Sequence, residues 1–523
     1  MSKKILNMLI KNGLVVSANG QTRSDVWIKD GKVAAVDDWG KIQVPEDVEI
    51  YDAAGKWVLP GLVEPHMHIA APLGGVIDIF NFESVSECAA YGGVTSFMDF
   101  SSTLPGMEIR KAVSARLDEM KVAKQDHSVH AKVVSLASPR TLADQMSANA
   151  RVFELGQELE ACEAGSKKEE LKKELAIAKE AALCADAKVQ AEIDAHLDEI
   201  PKLIREDKIP TFKLFMTYRK ANVMIDDTDM LRVMKKITEC GGMVGFHAES
   251  NPISEYYDEY FGKEGLLDAA SFPESKSNIC ESEAVGRVLT FAEMLGARIY
   301  FFHISTKESL DLIRKAKKRG VKVTAETCCH YLTLTKEKYK GTGEKDGRLY
   351  MMSPPLRTKE DVDALWEAIN DGTISLVTSD NCTFTVAQKT SSDDYRKVIS
   401  GVSGIGERLG LLLGEGVKKE RISLSKFVEI TSENPARVFG CYPKKGALVP
   451  GLSDADIVIV DPTVSKPLTA SNLHYPKELD YSVYGEFISG GWPEMVIRRV
   501  EVMVKNGSYD PEISAGEVIQ RVL

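Results

Sequence analysis

Long hydrophobic runs are absent from this sequence. No apolar stretch approaches the roughly 20 residues that a membrane-spanning helix requires, so a membrane-embedded protein is not expected. The opening stretch MSKKILNMLIKNGLVV is basic, but Lys11 and Asn12 interrupt its short apolar part, and no small-residue cleavage site follows. This pattern argues against a secretory signal peptide, and we expect a cytoplasmic protein without a membrane partner.

Cysteine motifs and excess positive charge are also lacking. The nine cysteines among 523 residues form no C-x-x-C pair, and only Cys328 and Cys329 are adjacent. In a chain of this length, such spacing is typical of reduced, buried thiols rather than of a disulfide framework. The formal net charge of −11 argues against nucleic acid or an anionic membrane surface as a partner.

What remains is the composition of an ordinary globular protein, with 44% hydrophobic and 27% charged residues. The length predicts two or more domains, or one large barrel with additions. Short strand-like segments separated by Gly, Asn and Asp occur near both ends, for example SDVWIKDGKVAAVDDWG and SDADIVIVDP. Because both ends of the chain contain such strand-like segments and the middle differs from them, we predict a small β-sandwich domain formed by both termini.

The middle of the chain alternates between short apolar segments and helix-like stretches. Continuous apolar strands in such an alternation are typical of a parallel sheet covered by helices. We therefore predict an α/β fold, a (β/α)8 TIM-like barrel over residues 58–440, with residues 1–57 and 441–523 forming the β-sandwich domain. The eight candidate barrel strands are WVLPGLVEPHMH, VTSFMDF, HAKVVSLAS, IPTFKLFM, MVGFHAES, ARIYFFHIS, VKVTAETC and ISLVTSD.

One region of the predicted barrel has a different composition. From about residue 141 to residue 200 the chain is rich in Ala, Glu, Lys and Leu and contains no proline. We predict an inserted pair of helices, longer than a barrel helix requires. A solvent-exposed pair is the favoured interpretation, and a lid or an oligomer contact remains open.

Histidines follow several of the candidate strands. His66 and His68 stand one residue apart in VLPGLVEPHMH, and alternate residues of a strand share a face. The fifth, sixth and eighth strands end at His247, His303 and Asp380. Because the C-terminal strand ends of a barrel meet at one face, these side chains can reach common metal ions. Four imidazoles and a carboxylate suit zinc or another divalent first-row metal.

Lys213 is the charged member of the apolar fourth strand, TFKLFM. Burying an ammonium group is costly, and desolvation favours the neutral amine. A neutral amine can add carbon dioxide and become a carbamate, which could bridge two metal ions about 3.5–4 Å apart. A lysine that extends to the barrel rim is the simpler alternative. The neighbouring histidines and aspartate favour the bridge.

The remaining histidines have no comparable context. His330 follows the adjacent cysteines, and we interpret it as a packed or hydrogen-bonded residue rather than as a ligand. The others are His127, His130, His196 and His474.

Eight stretches of the sequence, taken together, resemble the dihydropyrimidinase and hydantoinase branch of the cyclic amidohydrolases, within the amidohydrolase superfamily. Each motif is weak alone, but all occur in the order that the resemblance requires. It lapses only over the helical region between residues 141 and 200. The stretches that carry it are PGLVEPHMHIAAPLGG, TFKLFMTYR, GFHAES, FFHISTKESL, MSPPLRTKED, TSDNCTF, SGVSGIGERLGLL and ENPARVFGCYPKKGALVPGLSDADIVIVDP.

The resemblance implies a centre of two divalent metal ions, with zinc as the favoured ion. His66 and His68 would bind the more buried ion, and His247 and His303 the second. Lys213, as N6-carboxylysine, would bridge the two. Asp380 would be both a ligand and the group that moves the proton to the leaving nitrogen.

The resemblance also implies three substrate-binding residues. Tyr218 would donate a hydrogen bond to the developing oxyanion, which makes it a catalytic residue together with Asp380. Ser353 would hold the ring through its backbone. Ser400 stands where the family usually has asparagine, and a backbone contact there would tolerate the change.

The implied activity is hydrolysis of a C–N bond in a small cyclic amide, a dihydropyrimidine or hydantoin-type ring, to give an N-carbamoyl amino acid. The family further implies a homotetramer. An allantoinase-like or other imide or ureide hydrolase stays open as an alternative, as does a non-catalytic dihydropyrimidinase-related binding protein. Dihydroorotase is disfavoured because Ala70 replaces the arginine that would pair with a substrate carboxylate.

Overall fold

The computed structural model describes residues 7–73, 75–341 and 345–523. The strands in these ranges, numbered in chain order, are β1 (Met8–Ser17), β2 (Gly20–Lys29), β3 (Lys32–Asp38), β4 (Glu49–Asp52), β5 (Trp57–Pro60), β6 (Leu62–Glu64), β7 (Pro72–Leu73), β8 (Val76–Ile77), β9 (Val94–Phe100), β10 (Asp126–Lys132), β11 (Thr211–Phe215), β12 (Met243–His247), β13 (Ile299–Phe301), β14 (Val323–Cys328), β15 (Leu376–Thr378), β16 (Ile457–Asp461), β17 (Trp492–Arg498), β18 (Glu501–Lys505) and β19 (Ser508–Tyr509).

Helices follow the strands of the middle region and cover them. The α-helices of the described ranges are α1 (Phe82–Tyr91), α2 (Ile109–Glu119), α3 (Pro139–Ala161), α4 (Ser166–Arg205), α5 (Asp227–Glu239), α6 (Asn251–Glu264), α7 (Phe272–Ser275), α8 (Asn278–Leu295), α9 (Lys307–Lys318), α10 (Lys359–Asn370), α11 (Val386–Lys389), α12 (Arg408–Leu411), α13 (Leu424–Val428) and α14 (Asn434–Val438). Among the described residues, none of these helices is both long enough and apolar enough to cross a membrane.

Eight parallel strands form the predicted barrel, in the order β6, β9, β10, β11, β12, β13, β14, β15. The first and last strands approach each other beyond their ends, where Met67 pairs with Asn381 and the His68 amide donates to the Asn381 carbonyl at 2.7 Å. The strands are buried on both faces, which explains why they read as continuous apolar runs. The prediction of a (β/α)8 barrel is therefore confirmed.

Most of the predicted strands are shorter in the structure, and β13 and β15 end two residues before His303 and Asp380; two further predicted strands differ more strongly. WVLPGLVEPHMH is divided at Gly61 into β5 and β6, and His66 and His68 lie beyond β6. A β-carbon on Gly61 would stand 2.1 Å from the Thr95 hydroxyl, so only glycine permits this close approach. The third predicted strand, HAKVVSLAS, begins earlier than expected, because β10 starts at Asp126 and ends at Lys132.

Both termini contribute to one further sheet, as predicted. Its order is β19, β18, β17, β16, β5, β1, β2, β3, with β4 paired to β1. Strand β5 therefore joins N-terminal strands to the C-terminal β16. The division of the chain at residues 57 and 440 stays a proposal. The apolar core of this sheet consists of Met8, Ile10, Val26, Ile28, Val33, Ala53, Val58, Ala455, Ile457, Ile459, Met495 and Ile497.

The long helices α3 and α4 pack against each other as a hairpin between β10 and β11. The C-terminal part of α4 contacts the barrel, where Glu199 accepts from the backbone amides of Ile109 and Arg110. Met146 and Phe153 on α3 and Ile177 on α4 are each more than 60% exposed. A lid or an oligomer contact therefore remains open as a role for the hairpin.

A buried ion cluster connects the terminal sheet to the barrel. Lys445, 1% exposed, contacts the carboxylates of Asp126, at the start of β10, and of Asp454 and Asp456, just before β16. The distances to Asp454 and Asp456 are 2.9 and 2.8 Å. Without the ammonium group, three buried carboxylates would face one another, and Lys32 at Asp454 and Arg499 at Asp126 would offset part of their charge at close range.

Replacing Lys445 by methionine is expected to lower the free energy of unfolding by about 3–5 kcal/mol, the range measured when one partner of a buried ion pair is removed. The matched control is Lys444→Met, because the Lys444 side chain is 51% exposed. It should cost no more than about 1 kcal/mol. Urea unfolding followed by circular dichroism would measure both, and equal midpoints for the two variants would contradict the prediction.

Candidate active site

The predicted histidines and Asp380 meet at the C-terminal end of the barrel. His66 Nε2 lies 2.9 Å from Asp380 Oδ1, and His68 Nε2 lies 3.4 Å from the same oxygen. The His303 ring centroid is 5.4 Å from that of His66 and 4.5 Å from that of His247. The five side chains therefore surround one space. It remains open near His68 and Asp380, which are 22% and 15% exposed.

Lys213 is buried beside this cluster. Its Nζ lies 3.5 Å from the centroid of the Phe302 ring, which also packs on His66. Burial lowers the pKa of Lys213 to about 7, so a large fraction of the amine is neutral at neutral pH. The side chain is 1% exposed, which excludes the alternative of a lysine at the barrel rim.

Three residues of the cluster have left-handed backbone conformations. Tyr218, His303 and Asp380 have φ angles of 68°, 37° and 46°. Such angles are uncommon for residues other than glycine and are concentrated at functional sites, where surrounding contacts maintain them. Each of these residues stands just beyond the end of a barrel strand, where the backbone turns its side chain into the shared space.

Buried carboxylates behind the histidines were not found by sequence reasoning. Glu326, within β14, contacts His66 Nδ1 and accepts from the Tyr300 hydroxyl and the His303 amide. It thereby orients His66, as outer carboxylates do for metal-ligating histidines. A charged residue inside an apolar strand was the signal that identified Lys213, and applying it to VTAETC would have found Glu326.

Glu64 connects the first and last strands of the barrel. Its carboxylate accepts from the His66 amide at 2.9 Å and from the Ser379 amide at 3.0 Å, and it pairs with the buried Arg408. It therefore holds the backbone on both sides of the site.

A second polar cluster lies next to Tyr218. Lys276 Nζ donates to Ser353 Oγ at 2.6 Å, and that hydroxyl donates to Glu249 at 2.8 Å. Glu249 also contacts His247 Nε2 at 2.6 Å. Burial alone would raise the pKa of Glu249, but the Lys276 ammonium, the His247 ring and the Ser353 hydroxyl together lower it below its ordinary value. Glu249 and Lys276 were likewise missed from the sequence.

Tyr218 connects the two clusters. Its ring centroid is 5.2 Å from that of His247, and Lys276 Nζ lies 5.2 Å from its ring. Burial raises the pKa of the Tyr218 phenol to about 12. The hydroxyl group therefore keeps its proton at neutral pH and can donate a hydrogen bond.

The segments around Ser353 and Ser400 are held together by a lysine. The Gly401 amide donates to the Met351 carbonyl at 2.9 Å. Lys389, fully buried, donates to the carbonyls of Met351, Ile399 and Gly401 at 2.5, 3.0 and 2.9 Å. Ser400 itself is half-buried between two of these carbonyls in the chain.

The donor set fits a divalent metal. Ligand atoms of His66, His303 and Asp380 lie within 4.8 Å of one another. Among the described residues, the buried His66 Nε2 has no hydrogen-bond partner, although Asp380 is close. Burial lowers the pKa of His247 to about 4 and that of His303 below its ordinary value, so both imidazoles are in the neutral form that binds metals.

Comparison with known proteins agrees with this geometry. The model of the amidohydrolase family matches residues 57–502. The chain is 32% identical over 520 residues to a D-hydantoinase of Ralstonia pickettii, covering 99% of each chain. It is 30% identical over 518 residues to a D-hydantoinase of Geobacillus stearothermophilus, covering 99% of this chain and 97% of that one.

Solved structures agree as well. The crystal structure of a dihydropyrimidinase from Brevibacillus agri NCHU1002 superimposes with a TM-score of 0.84 at 28% identity, covering 99% of each chain. The chain belongs to the amidohydrolase family. Its resemblance to the hydantoinase and dihydropyrimidinase branch is confirmed, and the protein is a hydrolase. Membership of the amidohydrolase family implies the use of divalent metal ions.

Proposed function

We propose that this protein opens a hydantoin or dihydropyrimidine ring by hydrolysing its cyclic amide bond, releasing an N-carbamoyl amino acid. The observation that carries the proposal is the convergence of four histidines, Asp380 and a buried Lys213 on one space at the C-terminal barrel face. The relatives named D-hydantoinase, matched over nearly the whole chain, support the same ring class.

The residues available for two divalent ions, zinc being the favoured metal, are His66, His68 and Asp380 on one side and His247 and His303 on the other, with Lys213 between them. When bound, such ions supply a nucleophile at neutral pH and polarise the scissile carbonyl.

Lys213 contributes as a carbamate in this proposal. Its neutral amine forms an N–C bond to carbon dioxide and releases one proton, so that a buried neutral group becomes an anion. The pKa of about 7 makes the reacting form of the amine available. The product carries two oxygen atoms that can bind both ions.

Asp380 moves the proton during the reaction. It accepts a proton from the attacking water as the C–O bond forms, and returns it to the ring nitrogen as the C–N bond breaks. The ring nitrogen stays attached to the product through the carbamoyl group. The exposure of Asp380, 15%, is consistent with access for both water and substrate.

Tyr218 and two loop segments bind the substrate. The protonated Tyr218 phenol donates to the carbonyl oxygen, which gains negative charge in the transition state. The backbone at Ser353 and Ser400 holds the polar edge of the ring. We also expect a homotetramer, as the family resemblance implies, which light scattering would test.

The first test is hydrolysis of dihydrouracil and of phenylhydantoin by the purified, zinc-loaded protein, followed as loss of ultraviolet absorbance. Turnover of either ring supports the proposal, and the ratio of the two rates places the enzyme between dihydropyrimidinase and hydantoinase. Absence of both activities in protein that carries its metal would overturn the proposed ring class.

Lys389→Met is expected to raise the KM of the better of these substrates by about 10-fold or more, because the three hydrogen bonds that order the loops are lost. Metal content should not change. Lys397→Met, at a side chain that is 72% exposed in the same region, is the control and should keep the original KM. A normal KM in Lys389→Met would show that the lysine does not position the loops.

A further inference from the structure

His330 has an unusual environment at the edge of the site. It is 1% exposed and packs edge to face against Tyr331, with ring centroids 4.2 Å apart. Within the described part of the chain, neither of its ring nitrogens has a hydrogen-bond partner. Burying an imidazole without partners is costly, and such a group commonly indicates a bound water or ion. The sequence-based interpretation of a packed residue leaves these nitrogens unexplained.

Two other potential ligands lie beside it. One ligand atom each of Cys328, His330 and Asp380 lies within 4.8 Å of the other two. His66 and His68 both approach Oδ1 of Asp380, so Oδ2 of this carboxylate is available to bind an ion on the opposite side. Cys328 is completely buried and contacts the Thr378 hydroxyl at 3.4 Å.

We propose that Cys328, His330 and Asp380 form an additional binding site for a thiophilic divalent cation such as zinc or cadmium. Sulfur, imidazole and carboxylate ligands together suit these ions. Zinc forms bonds of about 2.0–2.3 Å to such ligands. The Cys328 thiol loses its proton to solvent as the metal–sulfur bond forms, and no oxidant or reductant is needed.

The consequence for activity follows from the shared carboxylate. A cation on this side of Asp380 occupies the group that moves the proton, so excess metal should inhibit hydrolysis. This consequence rests on the proposed function, whereas binding of the additional ion does not.

Cadmium binding tests the site directly. We would equilibrate the full-length protein with excess cadmium and measure bound metal per chain together with the ultraviolet charge-transfer absorbance of a cadmium thiolate. Wild type is expected to bind one ion more than His330→Gln. Accessible thiols such as Cys184 can also bind excess cadmium. Cys328→Ser should therefore show less thiolate absorbance than wild type, whereas Cys329→Ser should retain all of it, because Cys329 contacts Tyr484 instead. Circular dichroism would show that each variant is folded.

Equal cadmium content and equal absorbance in wild type and His330→Gln would overturn the proposal and assign the unpartnered nitrogens to a buried water. Failure of the proposed function would give a different result. If the main centre bound no metal, the bound metal per chain would be lower by the same amount in wild type and in all three variants. The difference of one ion between wild type and His330→Gln would remain. With an active enzyme, inhibition by excess zinc should be lost in His330→Gln.

Discussion

Lys213→Ala is expected to lose activity by about 10³-fold or more, because a metal ion supplies several kcal/mol of transition-state stabilisation and each 1.36 kcal/mol corresponds to a factor of ten. The variant should also lose part of its bound metal, since the proposed carbamate is the anionic group that joins the two ions. The measurements are the hydrolysis rate of the better ring substrate and bound zinc per chain. Short-chain carboxylic acids should partly restore the rate by occupying the vacated space.

A matched control for this change exists on the neighbouring strand. Lys132, at the end of β10, is the register partner of Lys213 and is half-buried. Because it has no role in the proposed centre, Lys132→Ala should retain its metal. If Lys213→Ala kept full activity and both ions, the carbamate bridge would be wrong.

Tyr218→Phe is expected to lower kcat by about 10²–10³-fold, the effect of removing one oxyanion donor. The phenyl ring preserves the contacts with His247, so metal content and KM should change little. Steady-state kinetics and zinc analysis would separate these effects. Tyr256→Phe, at a side chain 64% exposed on α6, is the control and should behave as wild type.

The kinetic constant that changes distinguishes the two roles open to Tyr218. A decrease confined to kcat identifies a donor that acts in the transition state, whereas an increase confined to KM identifies a residue that only binds the ring. An unchanged rate would remove Tyr218 from the catalytic mechanism.

Much of the site was predictable because its residues lie at strand ends. Apolar runs of five to seven residues alternate with helical stretches, and the barrel follows from this local pattern. His247 ends β12, and His303 and Asp380 stand two residues beyond β13 and β15. The topology of a barrel then brings them to one face without any knowledge of side-chain packing.

The supporting carboxylates and lysines were not predictable in this way. Glu326 is 260 positions from His66 in the chain, and Lys276 is 77 from Ser353. Which buried charge faces which partner depends on how adjacent strands and loops align in space. Sequence spacing contains no such information for residues far apart in the chain.

The sequence by itself determined the strand and helix alternation, the β-rich ends and the clustering of metal-ligand residue types, because these depend on local periodicity and composition. Only the tertiary structure decided that Gly61 separates a terminal strand from a barrel strand. It alone showed that Lys445 joins the two parts, and that His330 is buried beside Cys328 and Asp380 without a hydrogen-bond partner among the described residues. These features arise from long-range packing. A buried polar group without a partner is destabilising, so the residues that packing places beside it determine its contribution to stability.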